Sequence, residues 1–240
     1  MQNNNYDVRK TLTGLFKTIL FAISVFAWTA ASVAAQKDES GGVAQQYEVT
    51  VTNITANQVL TPVIAASHIS DVSIFTLGEA ASVELEDLAE SGNLMPLANV
   101  LMNTDGVRDV FTVDAPLPPG GSLTFELSTR GLANRISIAA MLVPTNDAFF
   151  ALNGAEIKPG NASRTFYAVA YDAGTEFNDE DCDRVPGPPN VCTGEGFNPS
   201  REGAEGSVHV HRGIHGILDI ADETYDWRNP VAKITITRVK

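Results

Sequence analysis

Basic residues are scarce in this chain. Its 16 Lys and Arg face 29 Asp and Glu, for a net charge of −13 at pH 7 with His neutral. So acidic a chain lacks the basic face that nucleic acid requires, and anionic lipid surfaces repel it. Long apolar runs are few as well. The run from Ile19 to Ala31 is interrupted by Ser24 and Thr29 and is too short to favour a spanning helix, and no later stretch is long enough to span. Cysteine is limited to Cys182 and Cys192, with nine residues between them. Zinc pairs usually place two to four residues between thiols and redox pairs two, so this spacing fits neither. No Gly-x-Ser-x-Gly elbow is present, so nothing marks a hydrolase nucleophile.

The first segment reads as a targeting signal. Arg9, Lys10 and Lys17 precede the apolar run, and Val33-Ala34-Ala35 offers a small-residue cleavage site before Gln36. This is the pattern of a secretory signal peptide over residues 1–35, which predicts a secreted or periplasmic protein. The residue directly after the cleavage site is Gln36 and not Cys, which argues against a lipid anchor. The mature part has about 205 residues and a charge of about −15, enough for one sandwich domain. In an exported chain, Cys182 and Cys192 are expected to form a disulfide that staples the Pro- and Gly-rich segment between them.

Residues 36–46 are polar and read as a flexible leader. From Tyr47 the chain is strand-like. Tyr47 to Ile54 alternates with period two, and Thr61 to Ala66 is a second candidate whose Pro62 suggests an edge. Glu79 to Met102 has a different texture and predicts two short helices, roughly Ala80–Ser91 and Pro96–Asn103. Val107 to Val113 is expected to pair with Ser122 to Ser128 across a Pro- and Gly-rich turn. Arg135–Val143, Arg164–Tyr171, Gly206–His211 and Lys233–Val239 complete about eight strands. The first and last strands have patterns that suit pairing, which would bring the termini together.

Two acidic loops follow strand-like runs. Pro144-Thr145-Asn146-Asp147 comes after Ile136 to Val143, and Asp172-Ala173-Gly174-Thr175-Glu176 comes after Phe166 to Ala170. If both strands end at the same sheet edge, Asp147, Asp172 and Glu176 meet. Three close carboxylates repel unless a cation lies between them, and hard oxygen ligands favour Ca²⁺. Composition alone favours ordinary solvated loop acids, since Asp is common in turns. The Pro-x-x-Asp-aromatic and Asp-Ala-Gly-Thr-acid segments together resemble the spondin N-terminal domain family, over roughly Tyr47 to Lys240. The family pattern has Asp where this chain has Glu176, and Trp where it has Ala148 or Phe149. The resemblance implies a C2-like antiparallel β-sandwich with Ca²⁺ bound by Asp147, Asp172 and Glu176. It also implies a non-enzymatic role in adhesion, or in recognition of an extracellular glycan or protein partner in the matrix.

A second cluster is His209, His211 and His215. His209 and His211 share one face of a strand, and with His215 or His68 they suit a zinc site and a metal-dependent enzyme. Hydrogen-bonding or packing histidines are the plainer reading, because no acid sits at ligand spacing among them. Calcium-dependent phospholipid binding needs basic or apolar residues beside the acidic loops, where the sequence offers Arg184 and Phe149-Phe150. Asp179, Glu180, Asp181 and Asp183 either add a ligand or raise the local negative potential. The bland role suits Trp227 too, as a cap on the core.

Overall fold

A computed structural model describes residues 42–158, 160, 162–201 and 203–239. The expected signal peptide, and the expected leader up to residue 41, lie outside the described residues. The described chain runs β1 (Gln45–Asn53), β2 (Val59–Leu60), β3 (Ile64–His68), α1 (Val83–Ser91), α2 (Met95–Met102), β4 (Val107–Thr112) and β5 (Ser122–Thr129). It continues through β6 (Arg135–Val143), β7 (Ala148–Glu156), β8 (Arg164–Asp172), β9 (His209–Val210), α3 (Asp222–Tyr225) and β10 (Ala232–Arg238).

All ladders are antiparallel, in the order β4-β3-β6-β7-β8-β10-β1-β5, with β2 added to β6 and β9 to β8. The fold is mainly β and sandwich- or barrel-like, as expected. The sheet nearly closes on itself. At the seam the backbone N–H and hydroxyl of Ser128 both donate to Asp109 Oδ2, at 2.7 and 2.8 Å. Phe111 and Phe125 stack there with ring centroids 4.1 Å apart.

The strand patterns explain the layers. In β1 the residues Tyr47, Val49, Val51 and Asn53 face inward while their neighbours are more exposed. The strand β6 is buried from Ile136 to Val143 without alternation. Its inner face packs Ile136, Ile138, Ala140 and Leu142 into the main core. Its outer face meets a second core that includes Leu85, Leu88, Leu97 and Leu101 of the helices and Phe149 of β7. A strand covered on both faces reads as a continuous apolar run. Helix α1 starts on Ser82, whose hydroxyl accepts the Leu85 N–H, and ends at Gly92 with φ 73°.

The expected pairing of first and last strands is present, from Tyr47 opposite Arg238 to Asn53 opposite Ala232. Beyond Pro62, which does not mark an edge because β3 pairs with both β4 and β6, two expectations need correction. The Val107–Val113 and Ser122–Ser128 strands do not form a hairpin: β4 pairs with β3 and β5 with β1. Between them Leu117 exchanges backbone hydrogen bonds with Leu60, at 3.0 and 2.8 Å, which carries the proline-rich linker across to the opposite sheet edge. Second, residues 148–156 form β7, where the sequence suggested only a loop after Val143. Phe149 and Phe150 are fully buried on its opposite faces, each contributing roughly 1.5–3 kcal/mol relative to exposure.

Candidate metal centre

The strand β7 brings the two acidic loops together. Asp147 is the last residue of the β6–β7 turn, and the next residue, Ala148, pairs directly with Asp172 at the end of β8. The turn is shaped by Thr145, whose hydroxyl donates to the Leu142 carbonyl at 2.6 Å and accepts from Ala148 N at 3.2 Å. The second loop curls at Gly174, with φ 68°. A Cβ there would lie 2.4 Å from the Ser207 carbonyl oxygen, so glycine is required both for conformation and for space.

Asp147 is fully buried. Its Oδ2 accepts from the backbone N–H groups of Thr175 and Glu176 at 2.8 and 3.2 Å, and from the Thr175 hydroxyl at 3.2 Å. Its Oδ1 has no hydrogen-bond partner. Glu176 is 6% exposed, and its Oε2 likewise has none. Asp172 differs: Oδ1 accepts from Gly174 N at 2.7 Å and Oδ2 from Asn178 Nδ2 at 2.6 Å.

Helix α1 adds two carboxylates that the sequence reading left out. Glu86 and Glu90, one turn apart, are both buried. Glu86 pairs with Arg201. One oxygen of Glu90 accepts the Asn198 N–H at 2.7 Å, and Oε1 has no partner. The available signal was the i, i+4 spacing with Leu85, Leu88 and Ala89, which puts the two glutamates at the edge of the apolar stripe.

These carboxylates repel one another. Burial pushes Glu176 up to about 9, reinforced by the charges of Glu90 and Asp147. Burial pushes Glu90 up to about 7. Asp147 is held well above the usual carboxylate range, by burial first and by Asp172 next. Burial raises Asp172 too, against the hydrogen bond from Asn178. An open cleft of about 530 Å³ reaches the cluster, lined in part by Thr175, Glu176, Asn198 and Arg201.

Asp172 also faces the histidines. Its Oδ2 is 3.7 Å from His209 Nε2 and 3.8 Å from His211 Nε2. His211 Nδ1 accepts the Gly213 N–H at 2.9 Å, so the neutral ring carries its proton on Nε2, which lies 3.2 Å from Asn178 Oδ1. Burial lowers His211 to about 3, which keeps it neutral. His215 is turned to a different carboxylate, with Nδ1 3.7 Å from Glu180 Oε1. His68 sits at the far end of β6, opposite Arg135, and is hydrogen-bonded to Ser137. Among the described residues no three His, Cys, Asp or Glu side chains are already arranged as a metal-holding group.

The neighbouring acids have structural roles. Glu180 accepts the backbone N–H groups of His215 and Ile217 at 2.5 and 2.8 Å, which locks the histidine loop. Asp179 and Asp181 pair with Arg184. The disulfide Cys182–Cys192 is formed. Phe149 and Phe150 lie in the interior and do not serve as apolar loop tips. The exposed apolar residues on this loop cluster are Phe177, Val210, Ile217 and Leu218. Trp227 joins the core and packs against His211, with ring centroids 4.9 Å apart.

A model of the Spondin_N family matches residues 46–178, more than half of the chain. The chain belongs to the Spondin_N family. The match takes in β1 through β8 and all three predicted calcium ligands. The disulfide and His209, His211 and His215 lie beyond it. No curated protein matches the chain. Membership of the spondin N-terminal family supports an extracellular domain of recognition or adhesion type, and the disulfide agrees with that setting. Among the described residues no helix is long and apolar enough to cross a membrane.

Proposed function

We propose that this protein is a secreted, non-enzymatic calcium-binding module that recognises a glycan or protein partner outside the cell. The observation that carries the reading is a pair of buried carboxylate oxygens, Asp147 Oδ1 and Glu176 Oε2, with no hydrogen-bond partner. An unpaired buried carboxylate is costly, and a hard divalent cation removes that cost. Asp147, Asp172 and Glu176 would hold the ion, with backbone carbonyls and water completing six to eight oxygens. The ion would neutralise the repulsion between the two loops and fix them. The fixed loop ends, with exposed Phe177 beside them, form the recognition surface.

Calorimetric titration of the EDTA-treated protein with Ca²⁺ tests this reading. A dissociation constant on the order of 0.1–1 mM is expected, as for extracellular calcium modules. Absence of binding up to 10 mM, a limit roughly tenfold above that range, sinks it. A zinc-dependent enzyme built on His209, His211 and His215 is the competing reading, favoured by one observation. His209 Nδ1 is bonded to the Ser207 carbonyl at 2.9 Å, which leaves Nε2 available as a ligand. Elemental analysis of the purified protein separates the two, since stoichiometric zinc without calcium supports the enzyme.

A further inference from the structure

We infer that Glu90 of helix α1 is a fourth carboxylate of the same cation site, so that the ion ties the helical insert to the strand ends. The inference rests on the calcium reading and adds a ligand from an element that neither acidic loop contains. Three observations lead to it. Glu90 is fully buried, and its Oε1 has no hydrogen-bond partner. Asn198, which holds Glu90, lines the same cleft as Thr175 and Glu176, and the Glu90 charge acts on Glu176. Its other oxygen is fixed by the Asn198 N–H at 2.7 Å, which sets the carboxylate plane and leaves Oε1 as the free end.

Of the four buried carboxylate oxygens without a hydrogen-bond partner among the described residues, Glu86 Oε1 belongs to the carboxylate that Arg201 pairs, and the other three, on Asp147, Glu176 and Glu90, come from the β6–β7 turn, the loop after β8 and α1. A buried glutamate in a helix normally has a cationic partner. The nearby arginine, Arg201, is taken by Glu86. Asn198 lines the open cleft, so an ion entering there passes between Glu176 and the segment that Glu90 holds.

The test is Ca²⁺ titration calorimetry of the wild type, Glu90→Gln and Glu84→Gln, with melting temperatures in EDTA. Glu90→Gln keeps an acceptor for Asn198 and loses the charge, whereas Glu84→Gln loses a charge from the same helix away from the cluster. We expect Glu90→Gln to weaken Ca²⁺ about tenfold or more, since ligand charge tunes calcium affinity. Its melting temperature in EDTA should equal or exceed that of the wild type, and Glu84→Gln should bind like the wild type. Equal affinity in wild type and Glu90→Gln overturns the inference and leaves the calcium reading standing. No binding by the wild type overturns both. If Glu90→Gln does not fold, a structure of the wild type with Ca²⁺ decides. A Glu90 oxygen within about 2.3–2.6 Å of the ion supports the assignment. A Glu90 carboxylate outside the coordination sphere refutes it.

Discussion

Replacing Asp147 by Asn should invert the calcium dependence of stability. Asn offers one oxygen that keeps the hydrogen bonds from Thr175 and Glu176, and puts an amide where Oδ1 now lacks a partner. In EDTA the variant loses a fully buried carboxylate that burial and Asp172 disfavour, so it should be more stable than the wild type by roughly 1–3 kcal/mol. In 2 mM Ca²⁺ the order should reverse or close. With a dissociation constant of about 0.1 mM, the ion stabilises the wild type by about 1.8 kcal/mol. For a domain of this size that is a rise in melting temperature of about 4–7 °C. The variant, short of a ligand, should rise by less than about 1 °C. The assay is thermal unfolding by circular dichroism, in EDTA and in Ca²⁺, on both proteins. A variant that is less stable in EDTA and still gains the full calcium increment would refute the reasoning. Asp147 would then be a structural acceptor and the ion would bind elsewhere.

Gly174→Ala should cost about 2–4 kcal/mol in urea unfolding, because its φ of 68° and the Ser207 backbone 2.4 Å from the added Cβ both oppose a side chain. A cost below about 0.5 kcal/mol would show that the loop can open without loss. Burial holds His68 below the ordinary histidine value of 6.5. Its folded-state pKa is thus lower than the unfolded one, and the neutral ring bonded to Ser137 is the form that stabilises the fold. That contribution is fully present above pH 6.5 and is lost as pH falls through the lowered value. The stability gap between wild type and His68→Gln should therefore shrink between pH 8 and pH 5, as read from urea midpoints. A gap that widens toward acid would contradict the assignment.

Strands with one wet face were legible in the sequence. The β1 and β10 patterns gave both their existence and their pairing, because period-two alternation fixes which face is inward. Helices α1 and α2 were legible from apolar spacing and from Gly92 and Pro96. The Phe149-Phe150 start of β7 was not, because both its faces are covered and no alternation remains to read. The β4–β5 hairpin was misread because a proline- and glycine-rich linker suits a tight turn as well as it suits a crossing. Only the contact of Leu117 with Leu60, far apart in sequence, decides between them. That Asp147, Asp172 and Glu176 lie on neighbouring loops was legible because strand-end loops can be located along the chain. Glu86 and Glu90 were missed because a charged residue on a short helix reads as solvated. Their burial depends on Asn198 and Arg201, more than a hundred residues later.

The same geometry explains why one loop serves two clusters. Asp172 and Glu176 are four residues apart on a loop that curls at Gly174, and Asp172 belongs to both clusters, since its charge also acts on Asp147. Glu176 joins Asp147 and Glu90 beside the open cleft. Asp172 joins Asn178, Glu205, His209 and His211 in a smaller pocket of about 300 Å³. The donors that hold each carboxylate come from the loop itself. The Gly174 N–H is fixed on Asp172, and the Thr175 and Glu176 N–H groups are fixed on Asp147. A cation brought to the cluster therefore acts on the backbone that sets these carboxylates. Asp172 in turn orients Asn178, whose other contacts are Glu205 and the His211 ring. Within the calcium reading, the ion's effect need not stop at its ligands. The chain of hydrogen bonds runs from the acidic cluster to the histidine pocket, whose lining includes exposed Phe177 and Ile217.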